Sequence, residues 1–246
     1  MQAVLLAAGL STRLRPLTDN LPKPMLPVLG APMIEHVVRQ LASAGFSEII
    51  ITTHFCAETI RNHFGSGARF DVHIEYAHEP VLMNTAGSLK RIEPMIRDDF
   101  LIIGGNDLLP TIDLHAFARR HFECGGIGTI AFKQLSDPAL LSNFGQGVLD
   151  DDDRLVAFKE KPTHLLSDLI HTTYQIYSPR ALRLIPEGIP CSIPEFLIHR
   201  MLASGERLYG YRTTSPFICV STKDQYATAA HQLAEALNIN TEGLLS

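Results

Sequence analysis

The amino-acid sequence predicts an α/β fold of three layers, α/β/α, around a mixed and mostly parallel central sheet, with a small strand-rich lobe added to it. Three observations predict it. Short apolar, often β-branched runs alternate with helical patterns through the first half of the chain, and such alternation gives parallel strands joined by right-handed crossovers. The second half changes to short strands separated by tight turns. A length of 246 residues, 46% hydrophobic and 19% charged, suits one large globular domain with a lobe.

Each element follows from its local pattern. Ala3–Leu6 is an apolar run of strand length. Pro32–Ala44 is a helix, with Ile34, Val37, Val38 and Leu41 at helical spacing. Pro32 suits its first turn and Gly45 its C-terminal cap. Glu48–Thr53 (EIIITT) is a buried strand, followed by a helix over Ala57–Phe64, a strand over Val72–Tyr76, a short helix over Thr85–Arg91 and a strand over Phe100–Ile103. Beyond these, Gly126–Lys133, Gly147–Leu149 and Arg154–Phe158 read as strands. The last two flank Asp150–Asp153, a run that fits a solvated hairpin turn better than a cation cluster. Ile170–Tyr177 and Arg207–Arg212 add two strands, and Ile193–Ala203 and Thr222–Leu237 two helices. No Gly-, Pro- or Ser-rich linker and no internal repeat interrupts the chain. The sequence therefore reads as one domain over residues 1–246, with one part over about residues 1–110 and another over about residues 111–240.

Charge and composition exclude several classes. The net charge of −5 offers no basic field for a nucleic acid, so any phosphate binding must come from a local site. No apolar run approaches the roughly 18 residues that span a bilayer. The apolar start, Ala3–Leu10, has no basic segment before it, which makes the cytoplasm the expected location. Cys56, Cys124, Cys191 and Cys219 lie far apart without a CxxC pair, as reduced thiols do. The 11 histidines show no zinc-ligand spacing.

Chemistry concentrates near the N-terminus. Leu6-Ala7-Ala8-Gly9 ends a strand and opens a polar loop, Leu10-Ser11-Thr12. Small residues there let backbone N–H groups approach phosphates closely, at the sheet edge where α/β folds bind ligands. Arg13 offers a planar fork for phosphate oxygens, and Lys23 a compact charge stiffened by Pro22 and Pro24. The Ala-Ala-Gly turn alone is common. Joined to PKPMLP at this distance it is specific.

Val4–Pro27 (VLLAAGLSTRLRPLTDNLPKPMLP) resembles the signature of the sugar-nucleotide pyrophosphorylases, the nucleoside-diphosphate-sugar synthases. Further motifs of that family recur in order along nearly the whole chain. Glu79-Pro80 with Asn84-Thr85-Ala86-Gly87 is similar to its base-recognition segment, Gly105-Asn106-Asp107 to its metal-binding GD, and Phe158–Pro162 (FKEKP) to its FxEKP. Ser178-Pro179 to Ile185–Gly188 is similar to its SPEVL…IPEG segment, and Phe217–Tyr226 (FICVSTKDQY) to its WxDIGTPEDY.

The resemblance implies a Rossmann-like, glycosyltransferase-A-like fold and a Mg²⁺-dependent nucleotidyltransferase that joins a nucleoside triphosphate to a sugar 1-phosphate. It implies that Arg13, Lys23 and Asp107 are catalytic, with Asp107 holding Mg²⁺. It implies that Leu6 to Thr12, Glu79, Thr85, Ala86 and Gly87 hold the nucleotide, and that Asn106, Glu160, Lys161, His171 and Thr172 hold the sugar phosphate. Glu79 leans the base toward guanine, whose N1–H and amino group suit a carboxylate. A homodimer is common in such a family. No nucleic acid or membrane partner is implied.

Five positions depart from the family pattern. Ser11 replaces a loop glycine, tolerable where the backbone needs no positive φ, and Asn106 replaces the glycine before Asp107. Asn84 replaces the first glycine of GTAG, and His171-Thr172-Thr173 stands where the family has NxG, which alters the sugar pocket. Cys219 occupies the place of a second metal-binding aspartate, and a neutral thiol is a poor Mg²⁺ ligand. Two other readings therefore stay open. One is a binding or regulatory protein with little turnover, and the other a transferase for another phosphorylated alcohol.

Overall fold

The computed structural model describes residues 1–105 and 107–239. In chain order the elements are β1 (Gln2–Leu6), β2 (Pro27–Val28), β3 (Ala31–Pro32), α1 (Met33–Ser43), β4 (Glu48–Thr53), α2 (Ala57–Phe64) and β5 (His73–His78). There follow α3 (Asn84–Arg91), β6 (Phe100–Gly104), β7 (Asp107–Leu108), α4 (Leu114–Cys124), β8 (Gly128–Gln134) and α5 (Pro138–Leu141). The rest are β9 (Gln146–Leu149), β10 (Leu155–Lys159), β11 (Leu169–Tyr177), α6 (Ile198–Ala203), β12 (Leu208–Thr213), β13 (Ile218–Cys219) and α7 (Lys223–Ala236). The α/β class and the mixed sheet are as the sequence predicts.

The chain packs as two compact units. One comprises Leu5–Pro80, Gly104–Ile112 and the described residues from Ser215 on. Here β4 runs parallel to β5, from Glu48 opposite His73 to Thr53 opposite His78. Ile49, Ile50 and Ile51 are all buried, as expected of a parallel strand covered on both faces. Helix α1 buries its predicted stripe of Ile34, Val37, Val38 and Leu41. Pro32 precedes the helix instead of lying in its first turn, because its ψ of 142° keeps it extended in the β2–β3 hairpin. Gly45 closes the other end with φ 76°. Buried Glu35 accepts from Arg39 at 2.8 and 2.6 Å and lies 2.6 Å from His63 Nε2, which ties α1 to α2.

The other unit comprises Met1–Val4, Val81–Ile103 and Asp113–Thr214. Its hub is β11, antiparallel to β6 through Tyr177 opposite Phe100 and to β8 through Leu169 opposite Gln134. Strand β12 lies parallel to β8. The β9–β10 hairpin closes through the predicted acidic turn, where Asp150 Oδ1 accepts the N–H groups of Asp152 and Arg154. Helix α6 is shorter than the sequence predicts, since Ile193–Leu197 forms a π-turn before it. Among the described residues no helix is long and apolar enough to cross a membrane.

Candidate active site

The loop after β1 is pinned at its start and open at its tip. The Ala7 N–H donates to the carbonyl and hydroxyl of Thr52, at 3.2 and 3.3 Å, which fixes the chain at the carboxyl end of β4. Ala7 and Ala8 are buried, while Gly9, Leu10 and Thr12 are exposed. Among the described residues a Cβ added at Gly9 meets no atom within 4 Å, and its φ lies outside the left-handed region. Neither packing nor backbone strain therefore demands glycine there. A ligand pressed against the backbone would.

Ser11 does not meet the condition under which it would replace a loop glycine without cost, because the backbone here takes a positive φ. It adopts φ 52° and ψ 41°, costly for a serine. The conformation is imposed by two bonds to its carbonyl, from Leu14 N–H at 3.1 Å and from the buried Thr18 hydroxyl at 2.9 Å. These bonds start the 3₁₀ turn Thr12–Leu14 that presents Arg13 to solvent.

Lys23 opens a second 3₁₀ turn, Lys23–Met25, with Pro24 in its first position. Its Nζ donates to the carbonyl of Val220 at 3.0 Å. Burial pulls the ammonium below the usual lysine range, the Asp107 charge opposes that, and Arg13 adds to it. Arg13, Lys23, Asp107 and Cys219 thus act on one another within one unit. Gly105 makes the approach possible. A Cβ there would lie 2.8 Å from Pro24 Cγ and 3.1 Å from the Leu6 carbonyl, which accepts the Gly105 N–H at 3.0 Å. Asn106 lies outside the described residues.

Asp107 is 4% exposed and faces Cys219 directly across the antiparallel β7–β13 pair. Burial pushes the Cys219 thiol well above its ordinary range, and the Asp107 charge adds to this against the Ser221 hydroxyl and Lys23. The thiol therefore stays protonated, within hydrogen-bonding reach of Asp107 and 3.3 Å from Ser221 Oγ. Asp224 cannot replace it, since it sits in the first turn of α7. One carboxylate, one neutral thiol and one ammonium do not fit Mg²⁺, which takes hard oxygen donors. Among the described residues, Glu48, His73 and Glu75 bring ligand atoms within 4.8 Å of one another. That group starts β4 and β5, whereas Glu79 follows the other end of β5 and is buried. The Glu79 backbone is fixed by its N–H on Thr53 (2.7 Å) and by His54 Nδ1 at its carbonyl (2.6 Å).

The remaining expected residues lie in the other unit. Asn84 takes φ 55° at the start of α3, a conformation asparagine tolerates. The Ala86 and Gly87 N–H groups donate to the Cys191 carbonyl at 2.9 and 3.1 Å, and Thr85 Oγ1 accepts from Ile193 N–H at 2.8 Å. These groups anchor the 191–193 segment.

Glu160, Lys161 and His171 gather around Gly145. A Cβ on Gly145 would lie 2.5 Å from Glu160 Oε2 and 2.6 Å from Phe158 Cζ. Burial raises Glu160 above the ordinary glutamate range, although Lys161, 3.6 Å away, opposes it. Lys161 itself is held at φ 42°, strain of the kind that clusters at functional sites. The His171 N–H donates to the Gly145 carbonyl at 2.7 Å, and its ring meets Phe158 edge-on. Burial lowers the His171 pKa to about 4, against a hydrogen bond with Gln175. Among the described residues its buried Nε2 has no hydrogen-bond partner, nor has Thr173 Oγ1. Thr172 differs: fully buried, it donates its hydroxyl to the Ala131 carbonyl at 2.8 Å and accepts from Tyr174 N–H.

Sequence reasoning missed Gly145 and Thr18, gave Val220 no role, and placed Thr173 in the altered sugar segment without naming it as a binding residue. Val220 acts through its carbonyl, which leaves no side-chain signal. Gly145, two residues before Gly147, carried one.

The Nucleotidyl transferase family model matches residues 2–189. The chain is 32% identical to the UTP–glucose-1-phosphate uridylyltransferase of Synechocystis sp., over 99% of its own length and 66% of that protein. It is 29% identical to the mannose-1-phosphate guanylyltransferase of Mycobacterium tuberculosis, over 96% of its length and 66% of that protein. The chain thus spans 66% of the length of these relatives. The solved UDP-glucose pyrophosphorylase of Acinetobacter baumanii superposes with a TM-score of 0.81 at 21% identity, covering 95% of this chain and 93% of that one. This likeness shows the fold.

Proposed function

The chain belongs to the nucleotidyl transferase family, and from that premise we propose that it joins a nucleoside triphosphate to a sugar 1-phosphate, releasing pyrophosphate. The observation that carries the proposal is the convergence of Arg13 and Lys23 beside an open loop whose Gly9 serves no need of the protein itself.

A sugar-phosphate oxygen attacks the α-phosphorus, and pyrophosphate leaves from the opposite side. Both reactants are anions, so catalysis is mostly positioning and charge neutralisation. The loop N–H groups from Ala8 to Thr12 cradle phosphate oxygens. Arg13 supplies a two-pronged contact, and Lys23, fixed by Val220, supplies a point charge for the leaving pyrophosphate. Because the donor set around Asp107 does not fit Mg²⁺, neutralisation by the protein falls on these two cations. Buried Glu79 faces the base, with guanine the better match. Lys161 grips the phosphate of the acceptor, and Glu160 accepts from one of its hydroxyls. The partnerless His171 Nε2 and Thr173 Oγ1 meet other hydroxyls, a role that Thr173 fits better than Thr172. The site of action is the cytoplasm.

The test is pyrophosphate release across a grid of nucleoside triphosphates and sugar 1-phosphates, with products identified by mass. Release that requires both substrates supports the proposal. No release for any pair, or release without an acceptor, overturns it.

A further inference from the structure

We infer that the acceptor is an amino sugar 1-phosphate, and that Glu195, on the π-turn before α6, joins Glu160 to receive its ammonium group. The inference rests on the reading above, in which Glu160, Lys161 and His171 meet a sugar 1-phosphate, and it names the class of that acceptor.

Three observations carry it. The first is where Glu195 stands. Phe158 and Glu160 both overlie Gly145, so they share one side of the chain at the end of β10. From α6 the His199 ring faces Phe158 at 5.9 Å, and Glu195 precedes His199 by about one helical turn. That spacing carries Glu195 from Phe158 toward Glu160. Its charge is felt there: burial raises Glu160, Lys161 opposes this, and Glu195 adds to it.

The second observation is that Glu195 is exposed and yet held. Its N–H donates to Ser192 Oγ at 3.1 Å, and the Ser192 hydroxyl donates to its Oε2 at 3.1 Å. The π-turn that carries it is anchored by the Ile193 N–H on Thr85 Oγ1, and such turns recur at functional sites.

The third is the balance of charge. His171 is neutral near pH 7, because burial lowers its pKa to about 4. Among the described residues its buried Nε2 lacks a partner, so it can meet a hydroxyl but brings no charge. Lys161, 3.6 Å from Glu160, is taken by the phosphate of the acceptor. Two carboxylates then face the body of the sugar. A hydroxyl would give one of them a hydrogen bond and leave their repulsion in place. An ammonium brings three donors and a positive charge, and hydrogen bonds between ionised partners are about twice as strong as neutral ones. Glu160 keeps one hydroxyl and contributes its charge, while Glu195 takes the amine.

The test follows pyrophosphate release by the full-length chain with glucose 1-phosphate and galactose 1-phosphate. Each is set against its monoamino analogues and their N-acetyl forms. The best amino analogue is expected to exceed its parent sugar in kcat/KM by at least about tenfold. N-acetylation, which keeps the N–H and removes the charge, should abolish the gain. Glu195→Gln keeps a partner for Ser192 and should bring the ratio to about one through the KM of the amino sugar, with the KM of the triphosphate unmoved. A ratio of one or less for every amino analogue overturns the inference, and so does an N-acetyl form that keeps the gain. A Glu195→Gln variant that retains the preference, or that shifts the triphosphate KM as well, removes Glu195 from the pocket. If no pair releases pyrophosphate, the transferase reading fails. Calorimetric Kd values for amino and parent sugar 1-phosphates then decide this inference, and equal values overturn it.

Discussion

Lys23 Nζ donates to the Val220 carbonyl at 3.0 Å, joining residues 197 positions apart in the sequence. The bond brings the N-terminal phosphate loop to the segment that carries Cys219, and it aims a cation where pyrophosphate would leave. Lys23→Met keeps the length of the side chain and removes the charge. Its kcat for pyrophosphate release is expected to fall by about 10²–10³-fold. Lys23→Arg should not restore it, because a planar fork cannot replace a compact ammonium between two prolines. A Lys23→Met variant with parental kcat contradicts the role given to this residue.

Cys219→Asp places a second carboxylate opposite Asp107. With a divalent cation present, the variant is expected to release pyrophosphate at least as fast as the parent, and Cys219→Ser to match the parent. Steady-state rates at saturating substrates measure both. Abolished turnover in a folded Cys219→Asp protein would show that the thiol has a positive task.

Gly145 lies under the Glu160 carboxylate and the Phe158 ring. Gly145→Ala forces both to move. The KM for the sugar 1-phosphate is expected to rise about tenfold while that for the triphosphate stays put, with a stability loss of about 1–3 kcal/mol from overpacking. Equal changes in both KM values would remove Gly145 from the acceptor pocket.

His171 gives the fold an acid dependence. A free imidazole titrates near 6.5, whereas burial lowers His171 to about 4. The unfolded chain therefore takes up the proton first as pH falls. The contribution is complete above about pH 6.5, declines between there and about 4, and is gone below. The whole effect is on the order of 3 kcal/mol at most. Urea titrations of the parent and His171→Phe should differ in slope within that window and run parallel above it. Identical slopes throughout would show that His171 is not held neutral.

Much of this was legible from residue types alone. Phosphate chemistry demands small residues, a guanidinium and an ammonium at fixed spacing, so Gly9, Arg13 and Lys23 stand out in the sequence. The apolar stripe of α1 is read directly from its period. What stayed hidden acts through the backbone or through register. Val220 contributes a carbonyl, which any residue possesses. Ser11 is left-handed because two bonds converge on its carbonyl, and one of them comes from a threonine seven residues on. On β11 the register against β8 shifts between His171 and Gln175, so simple alternation does not reveal that Thr172 gives its hydroxyl to the sheet while that of Thr173 has no partner among the described residues.

The central claim is that a sugar-phosphate oxygen attacks the α-phosphorus of a nucleotide held by Arg13 and Lys23. It is tested most directly by supplying the sugar 1-phosphate with ¹⁸O in its phosphate and weighing both products. The account predicts that the nucleoside-diphosphate sugar keeps all the label and pyrophosphate carries none. Label in pyrophosphate, or a nucleoside monophosphate formed with water in place of the labelled product, would contradict it.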